Sequence, residues 1–84
     1  MKTYEHEAEI TLRGRFPLDM LRYDACCPAT ERDSETMEHY PGDRSKPKTI
    51  RVRKVTNYPT DGFTPARWQS FGCQISVLPV RKLS

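Results

Sequence analysis

The chain is almost without acid in its second half. Residues 44–84 carry nine bases and one acid, Asp61, whereas residues 1–43 carry ten acids and five bases. The net charge of +3 over 84 residues hides this split. Long apolar runs are missing too. No stretch approaches the roughly 18 apolar residues that a membrane span needs, so no membrane partner is expected. Charges stand in MKTYEHEAEITLRGR where a signal peptide carries its apolar run, so no export signal is expected either. Glycine is scarce, four residues widely spread, which leaves no glycine-rich phosphate loop. There are three cysteines, Cys26, Cys27 and Cys73, an odd number that fits no closed disulfide framework. Reduced thiols in a cytoplasm are the expectation. Structural zinc wants ligands two to four residues apart. Cys26 and Cys27 are adjacent, Cys73 stands alone, and His6 and His39 have no neighbour at metal spacing. No Gly-x-Ser-x-Gly elbow is present and no cysteine lies near a histidine. The sequence therefore predicts no metal, no cofactor, no small-molecule substrate and no enzymatic activity.

What is present suits one small domain over residues 1–84. A chain of this length buries only about 60–65% of the surface it exposes when unfolded. The composition is 36% hydrophobic and 30% charged, which predicts a thin core under a single sheet.

Residues 4–12 give the clearest local signal. Tyr4, His6, Ala8, Ile10 and Leu12 alternate with Glu5, Glu7, Glu9 and Thr11. A period of two marks a strand with one buried and one wet face. His6 then falls on the buried face, as a core histidine with a satisfied ring nitrogen. Pro17 opens a short helix over about 17–24, which must stop before Pro28. Thr30, with Asp33 three residues on, reads as an N-cap for a second helix over about 31–39. That helix has only Met37 and Tyr40 as apolar anchors. A turn follows at Pro41-Gly42-Asp43. Residues 48–57 form a second strand, with Ile50 and Val52 on one face and Arg51, Arg53 and Val55 on the other. Thr64-Pro65 starts a helical turn closed by Gly72. A third strand runs over about 73–80, with Pro79 suggesting a sheet edge, and a fraying tail follows. The order is β-α-α-β-α-β. The predicted fold is α+β, a three-stranded, mainly antiparallel sheet with short helices packed on one face. Its expected core is Ala8, Ile10, Leu12, Phe16, Leu18, Leu21, Ile50, Val52, Trp68, Phe71, Ile75 and Val77.

The charges then offer two candidate surfaces. Glu5, Glu7 and Glu9 form a row on the first strand, and Glu31, Glu35 and Glu38 form a row on one face of the second helix. Regular rows of carboxylates can imitate a phosphate backbone and fill a basic channel, driven by counterion release. A cross-strand ladder of these glutamates, Glu7 and Glu9 above all, with Arg51 and Arg53 on the exposed sheet face is the plainer reading of the first row. The basic segment Arg44, Lys46, Lys48, Arg51, Arg53 and Lys54, flanked by Tyr40 and Tyr58, is the alternative surface. Nucleic-acid modules combine such charge with aromatic platforms.

Two stretches, RGRFPLDMLRYD (Arg13–Asp24) and TPARWQSFG (Thr64–Gly72), resemble small proteins of unknown function encoded by bacteriophages and prophages. They cover about a quarter of the chain and hold no catalytic motif. The resemblance implies an accessory protein acting in the cytoplasm of a host bacterium. Proteins of this size include inhibitors of host defence of the anti-CRISPR type, which work largely by stoichiometric binding. On that reading the partner is a bacterial protein complex, a CRISPR effector. The other functional expectations are a small nucleic-acid-binding module using residues 44–54 and a virion assembly factor.

Overall fold

The computed structural model describes residues 2–14, 19–24, 26–40, 46–60 and 62–84. In chain order the elements are β1 (Tyr4–Leu12), α1 (Asp19–Tyr23), β2 (Cys27–Pro28), α2 (Glu31–His39), β3 (Lys48–Thr56), α3 (Pro65–Ser70), β4 (Gln74–Val77) and β5 (Arg81–Lys82). The α+β class and the antiparallel sheet agree with the sequence. The three expected strands are β1, β3 and β4, and two strands of two residues each bring the sheet to five. The spatial order is β2-β3-β1-β4, with β5 also pairing β1.

β1 is the central strand. All nine of its residues pair antiparallel with β3, from Tyr4 opposite Thr56 to Leu12 opposite Lys48. Its other flank takes β4, with Ile10 opposite Ile75, and then β5, with Glu5 opposite Arg81. The alternation in its sequence sets its faces. His6, Ala8, Ile10 and Leu12 are buried on the inner side. Ile50 and Val52 of β3 continue that surface, and Met20 and Leu21 of α1, Trp68 of α3 and Tyr40 just beyond α2 close over it.

Several expectations change. Phe71 is 42% exposed and Val77 48% exposed, so neither belongs to the core. Phe71 is the C-cap residue of α3 and points off the helix end. Val77 shares the inner face with Ala8, but on β4, the last strand of the sheet order. Met20, Cys26, Tyr40, Phe63 and Cys73 fill the core instead, with Met37 and Ile75 partly buried against it. The tail does not fray. β5 returns along β1, and the backbone N–H groups of Leu83 and Ser84 donate to the Thr3 carbonyl. Thr64 makes no side-chain cap on α3; its hydroxyl donates to Asp24 instead. Phe16, Leu18, the first residues of the expected helix at 17–18 and the turn at 41–43 lie outside the described residues.

α2 matches its expected bounds. Thr30 accepts from the Asp33 N–H at 3.2 Å and donates to the Asp33 carboxylate at 2.7 Å, so both ends of the cap are satisfied. No residue of α2 is fully buried. The helix is held by three inward groups. Asp33 Oδ1 accepts the Arg51 backbone N–H, Met37 packs on the core, and the Tyr40 hydroxyl donates to the Gly14 carbonyl at 2.6 Å.

The helix layer is tied together at Asp24, which is buried. Its carboxylate accepts from the Trp68 indole N–H, the Thr64 hydroxyl at 2.7 Å and the Thr64 backbone N–H at 3.3 Å. Its backbone carbonyl accepts from Lys54 Nζ at 2.7 Å. A buried charge left without donors is strongly destabilising, whereas one with several donors is tolerated. Trp68→Phe keeps an aromatic ring in the core and deletes one of these donors. It should cost about 1–3 kcal/mol, and Trp68→Ala about 3–5 kcal/mol, comparable to the whole stability of a small domain. Urea titration followed by circular dichroism checks both. Equal, near-zero losses would show that the indole neither packs nor donates.

Candidate functional site

The wet face of the sheet is a charge ladder. Glu7 stands opposite Arg53, and Glu9 opposite Arg51. Arg51 Nη2 donates to Glu9 Oε1 at 3.0 Å, and this bond is the main cause that raises the Arg51 pKa above its ordinary value. Glu5 corrects the expectation of three exposed acids on β1. It is buried, with Arg81 of β5 donating to its carboxylate at 2.9 Å. The reason is β5, a strand the alternation of β1 does not reveal. The acidic row of β1 therefore lies between bases on both flanks, and the field it offers a partner is largely neutralised.

The basic segment is divided by the same geometry. Arg51 and Arg53 point to the wet face, where Arg51 pairs with Glu9 and Arg53 stands opposite Glu7. Lys54 falls on the other face, where Nζ reaches the Asp24 carbonyl and stands 5.1 Å from the centre of the Phe63 ring. Lys48 is half-buried at the start of β3, Lys46 is exposed, and Arg44 lies outside the described residues. A strand's alternation sends successive side chains to opposite faces, so the described bases of this run do not assemble into one patch.

The second acidic row fares differently. At about 100° per residue, Asp33, Met37 and Tyr40 cluster on the inward side of α2, and Glu31, Glu35 and Glu38 cluster about 160° away. All three glutamates are exposed. Among the described residues none of them has an ion pair or side-chain hydrogen bond. A groove of about 900 Å3 runs between the flank of α2 and the sheet, with Arg32, Glu35, Thr36 and His39 on the helix and Glu9, Thr49 and Arg51 on the sheet. Its lining mixes both signs, which favours neither a phosphate nor a cation.

His6 sits at the end of the inner face. Its Nε2 lies 2.6 Å from the Thr56 hydroxyl and 3.0 Å from the Tyr58 carbonyl. The Thr56 hydroxyl donates to that carbonyl as well, so the ring nitrogen is satisfied, as expected of a core histidine. Gly62 is packed on this ring, and a Cβ there would come within 2.3 Å of His6 Nδ1. Gly62→Ala must displace the imidazole from its partners. The expected loss is about 1–3 kcal/mol, read as a lower melting temperature; an unchanged melt would show that the 62 backbone does not press on His6.

The cysteines are all free. Cys26 is buried, and burial, then the Asp24 carboxylate, push its thiol up to about 11, against a smaller downward pull from Lys54. Burial also raises Cys73. Cys27, the neighbour of Cys26, is exposed on β2. Among the described residues no group of three or more His, Cys, Asp or Glu is placed to hold a metal ion, and no helix is long and apolar enough to cross a membrane. At pH 8 a thiol of pKa about 11 is ionised only about one part in a thousand, so iodoacetamide should alkylate Cys27 and spare Cys26 and Cys73 in the folded protein. The folded pKa of Cys26 lies above its unfolded value. The stability it contributes is thus complete below about pH 9 and falls as pH rises toward 11. Mass spectrometry of tryptic peptides checks the labelling order; alkylation of Cys26 as fast as Cys27 would contradict its burial.

No protein-family model, curated protein or solved structure matches the chain.

Proposed function

We propose that this chain is a non-enzymatic binding protein, an inhibitor of the phage-encoded kind that docks stoichiometrically on a bacterial nucleic-acid-handling defence complex of the CRISPR type in the host cytoplasm. One observation carries this reading. Of the two acidic rows, the sheet row has Glu5 and Glu9 paired with arginines and Glu7 opposite Arg53, while Glu31, Glu35 and Glu38 are exposed on α2 with no ion pair among the described residues. Three carboxylates at successive helical turns form a short rigid line of charge. Such a line can enter a lysine- and arginine-lined channel meant for nucleic acid and release its counterions, as a phosphate backbone does. The anchoring of α2 through Asp33, Met37 and Tyr40 fixes the line without using any of the three glutamates. The resemblance of Arg13–Asp24 and Thr64–Gly72 to phage accessory proteins supports the choice of partner. The division of the basic segment between two faces weighs against direct nucleic-acid binding through residues 44–54.

The test compares two triple substitutions in a pull-down from bacterial lysate with mass-spectrometric identification. Changing Glu31, Glu35 and Glu38 to lysine should abolish partner capture and leave the melting temperature nearly unchanged, since exposed charges add little to stability. Changing Arg44, Lys46 and Lys48 to glutamate should leave capture intact. The reverse pattern, or a gel shift of random DNA or RNA by the parent protein that the basic triple removes, would transfer the site to the basic segment.

A further inference from the structure

Sheet edges expose unpaired backbone groups and are usually blunted by charge, proline, bulges or a covering segment. Two edge segments here are protected. On the outer side of β3, Cys27 of β2 pairs at Arg53, the Ala29 N–H reaches the Arg51 carbonyl, and the Asp33 carboxylate takes the Arg51 N–H. β5 consists of Arg81 and Lys82, both charged and exposed.

β4 has neither device, and the proline of this edge, Pro79, stands two residues beyond its end. Its sequence, Gln74-Ile75-Ser76-Val77, carries no charge, and among the described residues no strand pairs with its outer side. It lies in the longest uncharged run of the chain, Trp68 to Val80, thirteen residues in a protein that is 30% charged. The Leu78 N–H donates to the Glu7 carbonyl, so by antiparallel alternation Ser76 and Gln74 also turn their backbone groups to β1, and Ile75 and Val77 turn theirs outward. The side chains of Ile75 and Val77 stand on the inner face of the sheet, opposite Ile10 and Ala8. Ile75 is only half-buried and Val77 is 48% exposed, although α3 contacts β4.

We infer that β4 is a self-association edge, at which two copies of this chain pair their β4 strands antiparallel about a two-fold axis through Ser76. An isologous pairing places Ile75 of one copy beside Val77 of the other, twice, and joins the outward N–H and C=O groups of both residues. Charge selects this occupant. A second copy brings a strand as neutral as the first, so the pairing of two molecules that each carry +3 puts no like charges together at the seam. The contact is small. Four residues a side bury far less than the roughly 1,200–2,000 Å2 of a stable interface, so the dimer should be weak and reversible, with a dissociation constant on the order of micromolar to hundreds of micromolar.

Sedimentation equilibrium of the full chain from roughly 1 µM to 1 mM spans that range. The parent should show a monomer–dimer equilibrium, and Val77→Lys should weaken it at least tenfold. Ser76→Lys serves as the second variant. Ser76 is exposed and opposite Glu9 within its own sheet, so the new lysine fits the monomer but faces its own copy across the axis. Amide exchange by NMR supplies the site-specific reading: the Ile75 and Val77 N–H groups should gain protection with concentration in the parent and not in the variants. A parent that stays monomeric throughout overturns the inference. So does a dimer that survives in folded Val77→Lys and Ser76→Lys, or one that forms while the Ile75 and Val77 amides remain unprotected.

Discussion

β1 is paired on both flanks, and that single constraint organises the rest of the molecule. A strand in the middle of a one-layer sheet cannot tolerate compromise on either face. Its inner side must be apolar or internally hydrogen-bonded along its length, and Ala8, Ile10, Leu12 and the hydrogen-bonded His6 are all at most 1% exposed. Its outer side carries three glutamates, and each sits next to strands that can neutralise it. β3 supplies Arg51 and Arg53, and β5 supplies Arg81. The opposite charges of the two halves of the chain thus meet first inside the fold, where they hold strand register. A one-residue slip of β3 would move Ile50 and Val52 to the wet face and set its arginines against the core. What remains for an external partner is the charge that the sheet does not use, and most of the acidic part of it lies on α2.

Asp24 plays the corresponding role for the helices. α1, α3 and the loop before α3 have little regular structure of their own. α1 is five residues long and α3 six, too short to be stable by backbone hydrogen bonding alone. Their positions are set by side chains converging on one carboxylate and by the burial of Trp68 over β1. Lys54 links that cluster to β3 by donating to the Asp24 carbonyl and lying over Phe63. The arrangement explains why Lys54, at the end of an apparently nucleic-acid-binding run, is turned inward. It also explains the inert Cys26, which shares the buried surroundings of Asp24.

Local periodicity made much of this legible. The alternation of Tyr4–Leu12, the Thr30 cap with Asp33 and the flanking turn signals place β1, α2, β3 and α3 close to their observed bounds. That Glu7 and Glu9 share the wet face with Arg51 and Arg53 follows from sign and alternation together; which glutamate meets which arginine is set by the register. The features that escaped are those that depend on distant segments. Nothing near Asp24 in sequence announces Thr64 or Trp68, which lie forty and forty-four residues away. β2 and β5 are two residues long and have no period to read. The burial of Glu5 follows from β5 and was hidden with it. Phe71 was assigned to the core from helical spacing, but the helix ends at Ser70, and the backbone then turns through Gly72 at a φ of 82° toward β4. Of the candidate site, the acidic row of α2 was visible as a pattern. That its three glutamates stay free of ion pairs among the described residues, while Glu5 and Glu9 are paired, depends on the partners of the other row.

The two surfaces that remain available lie at opposite margins of the sheet. α2 contacts β3 and β2, and β4 is two strands away on the far side of β1. Engagement of the β4 edge therefore leaves the glutamate row of α2 unobstructed. In a pair joined through β4 the sheets would run on continuously, with β3 of one copy about 24 Å from β3 of the other at ordinary strand spacing, and each α2 beyond that. The two acidic rows would then face outward from the ends of one rigid body rather than compete for one channel. A complex that presents a single basic groove would engage one row, with the affinity of a monomer. A complex that repeats its groove would gain by the effective concentration of the second row, without any new contact. A weak self-association edge and a charged helix at the opposite margin are in this sense coupled by the strand order alone: the central position of β1 keeps one from blocking the other.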